Sequence, residues 1–317
     1  MRTAFIDIGT NTILMLIAEY ENGSSSYNVI LDTMRIPRLG KGVDANRNIL
    51  ADSFNKAVTV LNEYKEIAEE NSVKNIIATG TSFIRDSKNR DDFILYVKNN
   101  TGIEIKILSG EDEAKWTFWG GISDSIFSET NHKYMCIIDI GGGSTEISYG
   151  KPSGYINRDI LLKTPLIPCS LDIGSVRLGE KYLLSHPIDR NEEDEAMRFI
   201  NQNLADMKLP GENMILIGVA GTVTTLACLK LGLNNYNPKI VEGVEMTLDE
   251  VEQIYKTLSL RTIDEMSGSG DYMAGRADII VSGTLILKLF MEYFNINKIT
   301  TSTRGLRYGI LLRELFK

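Results

Sequence analysis

Histidine is nearly missing from this 317-residue chain: His132 and His186 are the only two, one in a polar Thr-Asn-His-Lys stretch and one before a proline. A Ser-His-Asp triad or a histidine-rich metal site would have to draw on one of these loop positions, so elimination favours carboxylate chemistry. Cysteine is scarce too. Cys136, Cys169 and Cys228 stand apart, with no CxxC pair and no even-numbered framework, which points to a reducing compartment. No uncharged run approaches the roughly 20 residues that span a bilayer. The opening Met1-Arg-Thr-Ala-Phe-Ile-Asp-Ile-Gly lacks the apolar core and small-residue cleavage site of a signal peptide. These absences predict a cytoplasmic protein with no membrane partner. Positive charge is also in deficit: the net charge is -8, and no Lys/Arg stripe gathers what there is. Nucleic acid is therefore not an expected partner. A phosphate substrate stays open, because converging basic groups or bound metal ions can reverse the field locally.

What is present describes an ordinary globular chain. Hydrophobic residues make up 43% and charged residues 24%, which argues against a disordered or fibrous chain. The length exceeds what one core usually serves, so two compact domains are expected. An internal repeat supports this. Ile6-Asp7-Ile8-Gly9-Thr10-Asn11-Thr12-Ile13 recurs as Ile138-Asp139-Ile140-Gly141-Gly142-Gly143-Ser144-Thr145-Glu146-Ile147, with the two aspartates 132 positions apart. In each copy a short apolar strand ends in Asp, a Gly/Ser/Thr turn follows, and β-compatible residues resume before Asn22-Gly23 or Ser153-Gly154. Helical spacing of apolar residues then predicts helices over 51–70, 90–99, 192–207, 278–294 and 305–316, and a capping box at Thr247 to Glu250 opens another. Strands are expected at 73–78, 103–108, 214–219 and 299–302. The lobe boundary is placed near 128–133.

The two repeated loops set backbone amides and hydroxyls beside a carboxylate at a strand end, the combination phosphate binding needs. Either loop alone could be no more than a glycine-rich turn. Neither has the GxGxxG or GxxxxGK spacing, so the two commonest nucleotide folds are poorly supported. Arg85, after a strand and a Gly-Thr-Ser turn, could grip phosphate oxygens or merely pair with Asp86. Glu111, Asp112 and Glu113 open a helix where acids complement its positive end. Gly218-Val-Ala-Gly221-Thr222 could place an anion at a helix N-terminus or could be a tight strand-to-helix turn.

Taken together, these segments resemble the exopolyphosphatase and guanosine pentaphosphate phosphatase family, a branch of the actin, hexokinase and heat-shock chaperone ATPase superfamily. The motifs run nearly end to end: Asp7 to Thr12, Gly80 to Asp86 with Asn89, Ser109 to Ala114, Asp139 to Glu146, Gly218 to Thr222, Gly275 to Ile280 and Arg304 to Ile310. Asp112 stands where relatives often have Glu, and Val241-Glu242-Gly243 departs from a His-Gly seen in relatives. The resemblance implies an α/β fold of two actin-like (ribonuclease H-like) lobes with an interlobe active-site cleft. The lobes would be 1–130, completed by a C-terminal helix at 303–317, and 131–302. It implies Glu113 as catalytic base, with Glu146 as assistant base or metal ligand. Thr10, Asn11, Thr12, Arg85, Gly141, Gly142, Gly143, Ser144, Thr145, Gly221 and Thr222 would bind phosphate, and Asp7, Asp139 and Glu146 would hold Mg2+, with K+ as a further candidate cation. Polyphosphate or guanosine pentaphosphate is the implied substrate, and a homodimer the implied assembly. A small-molecule kinase of the same superfamily and a non-catalytic nucleotide-gated scaffold are the rival readings.

Overall fold

The computed structural model describes residues 1–21, 26–124, 134–152, 156–210 and 214–317. The expected lobe boundary and the two hairpin tips at Asn22-Gly23 and Ser153-Gly154 lie outside them. A first sheet contains β1 (Arg2–Ile8), β2 (Ile13–Tyr20), β3 (Tyr27–Arg35), β4 (Asn75–Gly80) and β5 (Ile105–Ile107) in the order β3-β2-β1-β4-β5. A second holds β6 (Tyr134–Ile140), β7 (Thr145–Gly150), β8 (Leu166–Leu171), β9 (Met214–Val219), β10 (Glu245–Thr247) and β11 (Lys298–Thr301) in the order β10-β11-β9-β6-β7-β8. In both, an antiparallel three-strand meander, β1 to β3 or β6 to β8, is extended on its other side by a parallel strand, β4 or β9. Each parallel step needs a crossover, and helices supply it.

The first half contributes α1 (Val43–Asn46), α2 (Ala51–Glu70), α3 (Ser82–Arg85), α4 (Arg90–Thr101) and α5 (Gly110–Gly121). The second contributes α6 (Arg158–Lys163), α7 (Ser175–Lys181), α8 (Arg190–Leu204), α9 (Ala220–Leu231), α10 (Pro238–Val241), α11 (Leu248–Ser259), α12 (Ile263–Ser267), α13 (Ile280–Tyr293) and α14 (Leu306–Leu315). Helix α2 occupies the expected span and buries Ala57, Val60, Leu61, Tyr64 and Ala68 on one side. The Thr247 to Glu250 capping box forms in both directions. Helix α9 starts at Ala220, directly after extended Val219, through a tight turn in which Ala220 takes a φ of 65°.

Three cores result. One lies among the helices of the second lobe, one lies between α2, α4 and the first sheet, and a third joins the two sheets. The third brings Phe5 and Leu16 of the first sheet together with Ile137 and Ile217 of the second, sealed by Phe118 and Trp119 of α5 and Leu311 and Leu312 of α14. Trp116, partly buried, packs against the same cluster. Helix α5 lies on the second sheet and α14 on the first, so each half of the chain lends a helix to the other. Glycines permit this crossing: a Cβ on Gly120 would overlap the Gly305 carbonyl, and one on Gly309 would overlap the Trp116 carbonyl. Among the described residues no helix is long and apolar enough to cross a membrane.

Candidate active site

The ends of β1 and β6 face one cavity of about 410 Å³. The two repeated turns are built alike. Gly9 N–H donates to the Thr12 carbonyl at 2.9 Å, and Gly141 N–H donates to the Ser144 carbonyl at 3.0 Å. They also touch: a Cβ on Gly142 would lie 2.8 Å from Thr10 Cβ, and one on Gly143 would lie 2.7 Å from Ser82 Oγ. Glycine at these positions lets the turns of the two lobes meet.

Of the residues expected at the site, Asp7, Thr10, Asn11, Thr12, Glu113, Asp139, Gly141, Gly142, Ser144, Glu146, Gly221 and Thr222 line the cavity. Three do not. Gly143 packs against the facing turn, as above. Thr145 is turned away, since its hydroxyl donates to the Ile173 carbonyl at 2.6 Å and is spent as a strand-end clasp. Arg85 stands behind the wall, where its Nη1 donates to Glu113 Oε2 at 2.8 Å and to the Leu108 carbonyl at 3.1 Å. Asp86 lies farther off, 3.7 Å from Nε. Asn11 faces the cavity, but its amide donates across the lobes to the Gly275 carbonyl at 3.2 Å.

Helix α5 places Glu113 one turn inside its N-terminus, after a Ser109 cap whose hydroxyl accepts from Asp112 N–H at 3.1 Å. Glu113 is 7% exposed. Burial, then the charge of Glu146, pushes its carboxyl well above the usual range, against the pull of Arg85. Glu146 is held in register between Asp139 on β6 and Ser170 on β8. Both Ser144 Oγ and Ser170 Oγ donate to its Oε1, at 2.6 and 2.8 Å. Burial raises its pKa while these two hydroxyls lower it. Asp7 and Asp139 are half-buried with their open side on the cavity. Burial lifts Asp7 to about 7, opposed by Arg307, and lifts Asp139 well above the ordinary value.

Four carboxylates with raised proton affinity in one cavity form a site short of positive charge. Asp7 Oδ1 is buried with no hydrogen-bond partner among the described residues, and a hard cation would satisfy it. Asp7, Asp139 and Glu146 do not close into a ready-made cage, because no three His, Cys, Asp or Glu side chains among the described residues are grouped to hold a metal. The donor set suits Mg2+, which is commonly held by one or two carboxylates together with substrate phosphate oxygens.

Two cavity arginines escaped the sequence reading. Arg307 lines the wall through a two-pronged pairing with Asp32, at 2.8 Å on each side. Arg276 is 7% exposed, lies under Gly221, where a Cβ would come within 3.0 Å of its Cζ, and has no carboxylate partner among the described residues. Burial lowers its pKa. Both sit in the Gly275 to Ile280 and Arg304 to Ile310 segments, whose resemblance was noted without a role. The departure at Glu242 has a local use, since its carboxylate accepts from Thr303 N–H at 2.6 Å beside the cavity.

A family model described as the Ppx/GppA phosphatase family matches residues 16–317. The chain is 32% identical over 318 residues to a bifunctional 3-dehydroquinate synthase/phosphatase of Fusobacterium nucleatum, an alignment that covers 98% of this chain and 46% of that longer protein. It is 28% identical over 326 residues to exopolyphosphatase 2 of Mycobacterium tuberculosis, covering 98% of each. A solved structure of the Ppx/GppA member from Aquifex aeolicus matches with a TM-score of 0.78 at 29% identity, over 99% of this chain and 97% of that one. The expected two-lobed, actin-like α/β fold with its interlobe cleft is the fold of these structures. Motifs, lobes and matched length converge on one assignment: the chain belongs to the Ppx/GppA phosphatase family.

Proposed function

We propose that the chain hydrolyses the terminal phosphoanhydride bond of inorganic polyphosphate, with Glu113 as the base that activates water. The observation that carries this reading is a carboxylate at a helix start, buried against Arg85 at 2.8 Å, opening onto the cavity that both glycine turns share. Exopolyphosphatase 2 of Mycobacterium tuberculosis, matched over nearly its full length, supports polyphosphate as the substrate class.

Hydroxyls of Thr10, Thr12 and Thr222 line the cavity as donors for phosphoryl oxygens. Arg307, and Arg276 with no carboxylate to answer it, add positive charge on the same wall. A water between Glu113 and the chain-end phosphorus gives its proton to the Glu113 carboxylate as its oxygen bonds to phosphorus. The bridging P–O bond breaks, and the shortened chain leaves with the electron pair. Raised proton affinity suits Glu113 to keep that proton until orthophosphate departs. Asp7, Asp139 and Glu146 are the residues that would hold Mg2+, whose chemistry there is to neutralise charge on the phosphoryl and leaving oxygens.

Glu113→Gln keeps size and hydrogen bonding but removes the base. Phosphate release from polyphosphate is expected to fall by roughly 10² to 10⁴-fold, with the melting temperature held or raised. Turnover close to wild type in a folded Gln variant would remove Glu113 from the mechanism. Running the same assay with guanosine pentaphosphate, and with ATP plus a small acceptor, separates the hydrolase from its nucleotide-specific and kinase alternatives.

A further inference from the structure

An alternating chain of charges leads from the buried Glu113 to a contact between the lobes. Glu113 Oε2 holds Arg85 Nη1 at 2.8 Å, and Arg85 Nε lies 3.7 Å from Asp86 Oδ1. The other oxygen of Asp86 accepts from Arg177 Nη2 at 3.2 Å. Arg177 Nε in turn stands 2.7 Å from Asp44 Oδ1, an ion-pair contact not aligned as a hydrogen bond. Asp86 closes α3 and Asp44 lies on α1, both with the first sheet, whereas Arg177 lies on α7, which packs on α13 in the second lobe. The chain therefore crosses the cleft. The Gly42 N–H also crosses here, donating to Glu180 of α7 at 3.0 Å.

We propose that Arg177 is a positioning residue that couples closure of the two lobes to the setting of the Glu113–Arg85 pair. Resting on the Glu113 reading above, the argument is one of shared partners. Asp86 sits between two guanidiniums. With Arg177 engaged, its Oδ2 is occupied and Arg85 keeps its short contact to Glu113. Without Arg177, Asp86 has only Arg85 to satisfy it and draws that guanidinium away from the base. Since Arg177 belongs to the opposite lobe, the short Glu113–Arg85 contact depends on the closed cleft. The side chains of Arg85, Asp86 and Arg177 are 20%, 26% and 17% exposed, so these contacts are shielded, unlike the rim contact from Arg177 to Asp172, which is 78% exposed.

A double-mutant cycle on polyphosphate hydrolysis tests this. Arg177→Gln is expected to lower kcat by roughly 10 to 100-fold, as a small misplacement of a catalytic group does, with KM moving far less, whereas Asp86→Asn, which removes the carboxylate that competes for Arg85, is expected to lose less. The double variant is expected to be faster than Arg177→Gln alone, because with no carboxylate at position 86 nothing draws Arg85 away from Glu113. Arg177→Lys, which keeps the charge, is expected to recover part of the loss and serves if the Gln variant folds poorly. Asp172→Asn is expected to stay within about twofold of wild type. A double variant as slow as or slower than Arg177→Gln, a KM effect in place of a kcat effect, or equal loss in Asp172→Asn would overturn the proposal. If instead Glu113→Gln is as active as the wild type, the base assignment itself fails, whatever the cycle shows.

Discussion

The two lobes present the same turn and arm it differently. Gly9 to Thr12 and Gly141 to Ser144 close with the same N–H to carbonyl bond, at 2.9 and 3.0 Å. Across the first sheet, Asp7 pairs with Leu14 and Leu14 with Met34. Across the second, Asp139 pairs with Glu146 and Glu146 with Ser170. One lobe thus backs its aspartate with apolar side chains, and the other with a second acid steadied by hydroxyls. The repeat supplies a scaffold that brings two strand ends together. Chemistry is concentrated on the second sheet, where α5 also delivers Glu113 although it precedes that sheet in the chain.

Making the lobes alike should therefore destroy function rather than stability. Glu146→Leu copies the Leu14 residue type into the second lobe. It is expected to cut polyphosphate turnover by roughly 10² to 10⁴-fold, within the range set by loss of a positioned carboxylate. The same change removes a buried, proton-hungry acid and is expected to leave the melting temperature unchanged or higher. Retained turnover, or a collapse of stability with it, would show that the asymmetry is not where catalysis resides.

A smaller effect concerns the aspartates the lobes share. Asp7 is lifted from an ordinary 3.8 to about 7, first by burial, and Asp139 and Glu113 move in the same direction. Between those values the folded chain binds a proton that the unfolded chain has released. Stability is thus expected to fall as pH rises from about 4 to about 7. In the absence of divalent metal, the melting temperature should be higher at about pH 5.5 than at about pH 8, and Mg2+ should narrow the gap by stabilising the charged forms. A melting temperature that climbs with pH in metal-free buffer would contradict the charge-crowded cavity.

Much of this architecture was legible because the pattern was local. Strands β1, β2, β6 and β9 are apolar runs with turn residues at their ends, and α2 and α11 announce themselves by spacing and capping. Strand β8 was hidden by Pro168, which an edge strand tolerates, and β3 by the half-exposed residues that blur its alternation. Within the site, residue type was readable and direction was not. Thr145 looks like Thr10 in the sequence, yet its hydroxyl is committed to Ile173. Arg85 was weighed against phosphate and Asp86, while its short contact is to Glu113, a residue in a different motif. Arg276 and Arg307 reach the cavity only through folding that joins distant segments, and no spacing rule anticipates that.

The most direct test is where solvent oxygen goes. Hydrolysis of polyphosphate in 18O-labelled water, under single-turnover conditions and read by mass spectrometry, reports which phosphorus the water attacks. Water activated by Glu113 at the chain end puts one label into the released orthophosphate and none into the shortened chain. Label in the shortened chain, or no phosphate release until an acceptor alcohol or acid is added, would contradict terminal hydrolysis in the cleft.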